Sequence, residues 1–329
     1  MSFFAVLFAL LLEQLRPMPR DTVVLDGLKA WVAWVGRNFD AGKPHHGWVV
    51  WSISVLGPTL LTAGVYLLVQ RYSLIAALVL DVAVLYLTLG FRQFSHHFTG
   101  IRDALVRGDE DEAKRLLADW RHLDASELPR SELMRHVIEH SLLAAHRHVF
   151  GVFFWFVVLA ALGLGPAGAV LYRMADFVRR YWAYRQLNMD APFNEGLRDR
   201  VARAFSLLDH VPARLTAFGF AVVGNFEEAI NSWRKDAGLW KHANEGIILA
   251  AAAGAVGVQL GGKAPPGVTP DRSKSFSAGE VEGTTAAEGS TAGLPPQMAH
   301  LQSMVALVWR SVILWMLLLA LLTLASIAG

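Results

Sequence analysis

The 329-residue chain is 54% apolar, carries 11 tryptophans and has a mean hydropathy of +0.37, values that argue for a membrane protein and against one or two soluble domains. It has no cysteine, which excludes disulfides, thiolate metal ligands and a cysteine nucleophile. Its net charge of +2 offers no basic excess for nucleic acid, and its basic residues flank apolar runs, where membrane orientation accounts for them.

Ser2 to Leu12 is an apolar run with no basic region before it and no small-residue cleavage site after it. It reads as a membrane-dipping helix and not as a signal peptide. From Asp21 to Arg37, apolar residues recur at helical spacing (Val24, Leu25, Leu28, Trp31, Trp34, Val35), as in an interfacial helix or one packed on other helices. These make up residues 1–47. Residues 48–90 are expected to form a transmembrane helical hairpin, with Gln70-Arg71-Tyr72 as its turn and Pro58 as a kink in its first arm. Asp81 lies inside the second arm, where a carboxylate serves either a site or a structural hydrogen bond.

Residues 91–148 are polar and read as a helical hairpin around Gly108-Asp109, followed by a third helix with Ser131 as N-cap and Glu132 on its dipole. Residues 149–262 contain short apolar runs. The first, Val149 to Leu171, is interrupted by Gly163-Leu-Gly165-Pro166 and is either a helix pair that dips in and returns or a strongly kinked span. Nine Lys and Arg in 91–148 and seven Arg in 172–210, against Arg71 alone in the 70–72 turn, put the polar regions on the cytoplasmic side and favour the return. Residues 263–300, rich in Gly, Pro, Ser, Thr and Ala, read as a flexible linker, and 301–329 as a final transmembrane helix. The fold class expected is all-α: a polytopic helical membrane protein with kinked or re-entrant short helices and a cytoplasmic amphipathic helical region.

Between Asp199 and Gly262 two apolar runs too short to cross a bilayer are joined by polar residues. Their polar ends would meet at membrane depth, which makes Asp209, Arg214, Glu227 and Glu228 candidates for one site, with Arg214 paired to Asp209 or Glu227. His136-Val-Ile-Glu139-His140 has the spacing of a zinc-protease motif. No third ligand can be named, and no metal ligand is assigned. His96, His97, His146 and His148 would join a metal or tetrapyrrole site only if the fold gathered them. Arg173, Arg179, Arg180 and Arg185, interleaved with Tyr172, Tyr181, Trp182 and Tyr184, suit either a phosphate-bearing ligand or a membrane-anchoring belt. Small residues from Ala250 to Gly257 suit close helix packing.

From Gly108 to Gly262 the order of motifs resembles the CobD/CbiB family of cobalamin-biosynthesis membrane proteins. The similarity is carried by Gly108-Asp109 with Ala113-Lys-Arg115, Gly165-Pro166 to Leu171-Tyr172-Arg173, and Val211-Pro212-Ala213-Arg214-Leu215-Thr216. Trp233-Arg-Lys-Asp236, Asn244-x-Gly246 and Ala253-Gly254-Ala255 to Leu260-Gly261-Gly262 follow in the same order. The resemblance implies an inner-membrane protein linked to the joining of aminopropanol, or its phosphate, to adenosylcobyric acid with ATP. It adds Glu139, Arg147, Arg173 and Asn244 to the ligand-binding candidates. The chain departs from the family pattern at Leu143, Ala144 and Arg147, at Asp176 to Arg179 and at Phe205-Ser206, where acids are replaced, and at Asp209, where an Asn is usual. ATP and Mg are therefore implied only with retained synthase activity, and no catalytic residue is assigned. Leu208-Asp209-x-Val211-Pro212-x-Arg214-Leu215, with Gly224-x-x-Glu227-x-Ala229, is similar to AmpE-type membrane proteins, which would imply a non-enzymatic sensor. The partners expected are the lipid bilayer and a corrinoid or other anionic small molecule, without nucleic acid; a homo-oligomer stays open.

Overall fold

The computed structural model describes residues 2–15, 23–40, 46–121, 125–188, 195–262 and 289–328. Among these the secondary structure is helical, with two isolated backbone bridges and no strand. The chain opens with α1 (Ser2–Leu15) packed along α4 (Leu74–Thr88) and α2 (Val23–Phe39) packed along α3 (His46–Tyr72). Helices α3 and α4 form the expected hairpin, turned at Ser73, whose hydroxyl accepts the Ala76 N–H at 3.3 Å as an N-cap. Pro58 lies inside α3, which continues past it.

The polar hairpin is α5 (Phe91–Arg107) and α6 (Glu110–Arg121), turned at Gly108 in the left-handed region with φ +80°. The next helix, α7 (Arg130–Ala145), begins one residue before the expected cap, with Pro129 at the N-cap position and no side chain capping it. Ser131 is thus already helical. Glu132 does lie in the first turn, where it pairs with Arg135.

The boundary expected between 148 and 149 falls inside one continuous helix. A π-helical turn, His146–Phe150, carries α7 without a break into α8 (Gly151–Ala161). The composite Arg130–Ala161 is one of three helices long and apolar enough to cross a membrane; the others are α3 and α14 (Met298–Ala328). In the composite, 72% of the apolar window is buried inside the protein, against 28% in each of the other two. The composite is therefore the core around which the rest packs, while α3 and α14 present Leu60, Leu61, Leu68, Leu317, Leu321 and Leu324 outward, as lipid-facing helices do.

At Gly163-Leu-Gly165-Pro166 the chain reverses into α9 (Ala167–Asn188), which packs back on α8 and on α3. Gly163 and Gly165 have φ of +78° and +55°, values that side chains with a Cβ rarely adopt. The apolar run from 149 is therefore a helix pair and not a kinked span.

Next come α10 (Glu195–Leu208), α11 (His210–Val223), α12 (Phe226–Asp236) and α13 (Ala243–Val256). The Asn244 amide at the start of α13 bonds Asp209 at the start of α11, and the Asn225 N–H just after α11 bonds the Ala255 carbonyl near the end of α13. α11 and α13 hence run in the same direction, and α12 returns the chain between them. At 14 residues each, they are about 21 Å long, short of the ~30 Å hydrocarbon core.

Of the stretch expected to be a linker, 263–300, residues 263–288 lie outside the described residues. From Gly289 the chain is packed. Gly262 N–H bonds the Gly289 carbonyl at 2.6 Å, Thr291 N–H bonds Leu260 O at 2.9 Å, and Gln259 N–H bonds Leu294 O at 2.8 Å. Backbone hydrogen bonds join this clasp to the segment that holds the buried Val258 and Leu260, and composition does not reveal such bonds. Helix α14 then starts at Met298 and packs on α11, α1 and α7.

Candidate functional site

The π turn is where the site forms. A π turn inserts one residue into a helix and shifts the faces on either side of it, a feature frequent at functional positions. Here the Gly151 N–H reaches the carbonyl of His146. The consecutive His146, Arg147 and His148 are all nearly sealed from solvent, and each meets a different neighbour. Gly151 is required beside them, since a Cβ at that position would fall on the ring of Tyr172.

Asp209, in the corner between α10 and α11, is the centre of the arrangement. Its Oδ1 lies 2.8 Å from His146 Nε2 and accepts the Tyr172 hydroxyl at 2.7 Å; its Oδ2 accepts from Asn244 Nδ2 at 3.3 Å. The other ring nitrogen of His146, Nδ1, lies 2.9 Å from Thr216 Oγ1 on α11. Three elements thus converge on one buried carboxylate, the π turn, α9 and α13, and α11 joins them through Thr216 and His146.

Arg214 does not pair with a carboxylate among the described residues. Its Nη1 donates to the His210 carbonyl at 2.8 Å and to Asn244 Oδ1 at 3.5 Å. The expected Asp209 partnership does not form: Asp209 takes its donors from distant parts of the sequence instead. The Asn244 NH2 group is committed to Ser206 O at 2.9 Å and to Asp209, so its oxygen is the atom left to hold the arginine. Arg214 is half-buried, at the edge of the cluster. Glu227 and Glu228 are exposed in the first turn of α12, where they complement its dipole and take no part in this cluster.

Two further groups adjoin the centre. Arg147 pairs with Glu245, the residue after Asn244. On α9, Asp176 is shared by Arg180 at 3.0 Å, Arg179 at 3.3 Å and Arg173 at 3.6 Å. Burial alone would raise the Asp176 carboxyl, but these arginines and Arg147 outweigh it and hold Asp176 well below the usual carboxylate range. Burial pushes Arg180 down to about 10, against the opposing pull of Asp176. Much of the arginine cluster read from the sequence is therefore joined to an internal acid. Arg185 instead sits over the Trp182 ring, 5.5 Å from its centroid.

Glu139 belongs to a separate, buried group nearer the start of α7. Its Oε1 accepts the Gly261 N–H at 2.8 Å, and Arg135 bonds the Gly261 carbonyl. The two charges grip one glycine and so anchor the clasp. His136, its motif partner, meets Arg121 at 2.6 Å, and His140 stands edge-on to Trp120 with centroids 4.4 Å apart. Among the described residues, no three His, Asp or Glu side chains gather to hold a metal. His97 stacks on Trp120, and the His96 side chain lies outside the described residues. Asp81 is buried in α4, and its Oδ1 has no hydrogen-bond partner among the described residues.

Of the candidates, then, Asp209, Asn244 and Arg214 come together, Arg147 and Arg173 flank them, and Glu139 and Glu227 lie apart. Sequence reading missed Tyr172, Thr216 and Glu245 as members and gave His146 only a conditional role. One signal was available: the run His146-Arg147-His148 directly ahead of the apolar run from Val149, where polar residues need partners.

Known proteins similar to the chain are consistent with its motif order. The family model described as "CobD/Cbib protein" matches residues 3–278. The protein named Cobalamin biosynthesis protein CobD of Stutzerimonas stutzeri (strain A1501) is 33% identical over 321 residues, 96% of this chain and 96% of its own length. The protein of that name from Chromobacterium violaceum is 32% identical over 265 residues, covering 78% and 80%. One from Leptospira interrogans is 27% identical over 190 residues, covering 56% of each. No solved structure matches.

Proposed function

The chain belongs to the CobD/CbiB family, and on that premise we propose that it is a multi-pass inner-membrane protein that acts in cobalamin biosynthesis, at the joining of an aminopropanol, or its phosphate, to the carboxyl of a corrinoid acid. The observation that carries this reading is the buried set His146, Asp209, Tyr172 and Asn244, placed where the polar ends of short apolar helices meet. A polar set enclosed in an apolar helical protein is costly and is retained for function. Arg214, of which only Nη1 is engaged by described residues, offers the rest of its guanidinium to an anionic group of the substrate.

Among the described residues, the carboxylates Asp176, Glu245, Glu139 and Asp209 do not gather into one group that could hold Mg-ATP. Asp176 and Glu245 are paired to arginines, Glu139 serves Gly261, and Asp209 already accepts donors on both oxygens. Magnesium needs ionised oxygens free to ligate it, and of these four only Glu245 keeps an oxygen, Oε2, with no hydrogen-bond partner among the described residues.

The test is genetic. A strain lacking the amide-forming synthase is given this chain and grown where cobalamin is needed, fed either the corrinoid acid or the amide product. Growth on both supports the reading. Growth on the product alone, with the protein present in the membrane fraction, contradicts it.

A further inference from the structure

Amide formation sets a requirement that the site must meet. An alkylamine is protonated at neutral pH, as the lysine side chain is, and has no lone pair for attack until it loses a proton. We propose that His146 takes this proton and that the Thr216 hydroxyl delivers it. The inference rests on the amide-forming reading above.

The hydrogen bonds give each atom one role. An ionised Asp209 only accepts, so His146 Nε2, 2.8 Å away, carries the hydrogen of that contact. Nδ1 then holds the lone pair, and Thr216, 2.9 Å from it, points its hydroxyl hydrogen at the ring. The Thr216 Oγ1 lone pairs not used in that bond can accept an ammonium N–H. In the transfer, one N–H bond of the ammonium breaks and Thr216 Oγ1 takes that proton while passing its own to Nδ1. The nitrogen lone pair is freed, and the imidazolium formed is balanced by Asp209, which Tyr172 and Asn244 hold in place. Imidazole is the side chain suited to this exchange near neutral pH, and a carboxylate on its second nitrogen fixes the ring.

The same bonds would also serve simply to tie α11 to the π turn, so the two roles must be separated by experiment. His146 and Thr216 are each 1% exposed, which keeps bulk water from competing for Nδ1. The proposal requires the amine to enter at the first turn of α11, where His210 is exposed and Arg214 half-buried. The ionisable groups that meet the ring are Asp209 from the α10–α11 corner and Tyr172 from α9; Asp176 and Arg147 act on Tyr172, and Arg147 is paired with Glu245 of α13.

The test uses the full chain in liposomes with corrinoid acid, ATP, Mg2+ and aminopropanol, and compares wild type, His146→Gln and Thr216→Val. Glutamine can bond both neighbours but takes no proton, and each variant is first checked for wild-type thermal unfolding. General base catalysis contributes roughly 100- to 10,000-fold, so turnover at neutral pH should fall by that order in both variants. It should recover as pH rises, or when hydroxylamine, uncharged at neutral pH, replaces the amine. Wild-type turnover by His146→Gln overturns the proposal and leaves the amide-forming reading intact. A loss that neither high pH nor hydroxylamine relieves in a normally folded variant also overturns it, because the role would then be positional only. If the wild type itself makes no amide, both fall.

Discussion

Replacing Asp176 by Asn tests how the arginines of α9 are held. Asp176 is 1% exposed and its two oxygens meet Arg180, Arg179 and Arg173 within 3.0 to 3.6 Å. The substitution keeps the shape and removes the one charge these guanidiniums share. Breaking a buried pair costs about 3 to 5 kcal/mol, which is roughly a hundred-fold or more in the folded-to-unfolded ratio. A control is available in Asp103→Asn, whose pair with Arg102 at 2.8 Å is exposed on both sides and should be worth about 0 to 1 kcal/mol. Denaturant unfolding in detergent, with tryptophan fluorescence as the signal, measures both. The acid limb adds a second readout. Asp176 is held below the ~3.9 of an unfolded aspartate, so its contribution is complete above that value and is lost as pH falls toward its folded value. The variant should therefore lose less stability on acidification than the wild type. Equal destabilisation by the two substitutions, or an unchanged acid limb, would refute the reasoning.

Gly151→Ala should cost about 1 to 3 kcal/mol, since its Cβ meets the Tyr172 ring, whereas Gly64→Ala, with nothing within 4 Å of the added carbon, should be neutral or stabilising by about 0.5 to 1 kcal/mol; thermal unfolding compares them. Thr291→Val removes the acceptor of the Leu260 N–H, 2.8 Å away, and should cost about 1 to 3 kcal/mol, while deletion of 268–284 should leave expression and membrane insertion intact. Single cysteines in place of Glu110 and Asp199, in a chain with none of its own, should resist an impermeant thiol reagent added to intact cells. Labelling at either would place that polar region outside the cytoplasm.

What the sequence made legible were features whose cause is local. Long apolar runs marked α3 and α14, and the Gly163-Leu-Gly165-Pro166 turn marked the reversal between α8 and α9, because a run of that length or a pair of glycines acts on its own neighbourhood. The continuity of the helix through 148 was hidden, since His146-Arg147-His148 looked like the polar edge of a segment while its partners lie on α9, α11 and α13. Asp209 shows the same limit. Arg214 is its nearest cation in sequence, yet the groups that bond it are His146, Tyr172 and Asn244, brought in by packing from 63, 37 and 35 residues away. One pairing could have been read directly. Asp176 has an arginine three residues before it, at 173, and arginines three and four after it, at 179 and 180, which places them on its own face.

The most direct measurement is made on the purified wild-type chain in liposomes, supplied with corrinoid acid, aminopropanol or its phosphate, ATP and Mg2+, with the products detected by mass spectrometry. A corrinoid heavier by the amine less one water is expected, formed in proportion to the protein added. If the folded protein returns the corrinoid acid unchanged with either amine, the amide-forming role is contradicted.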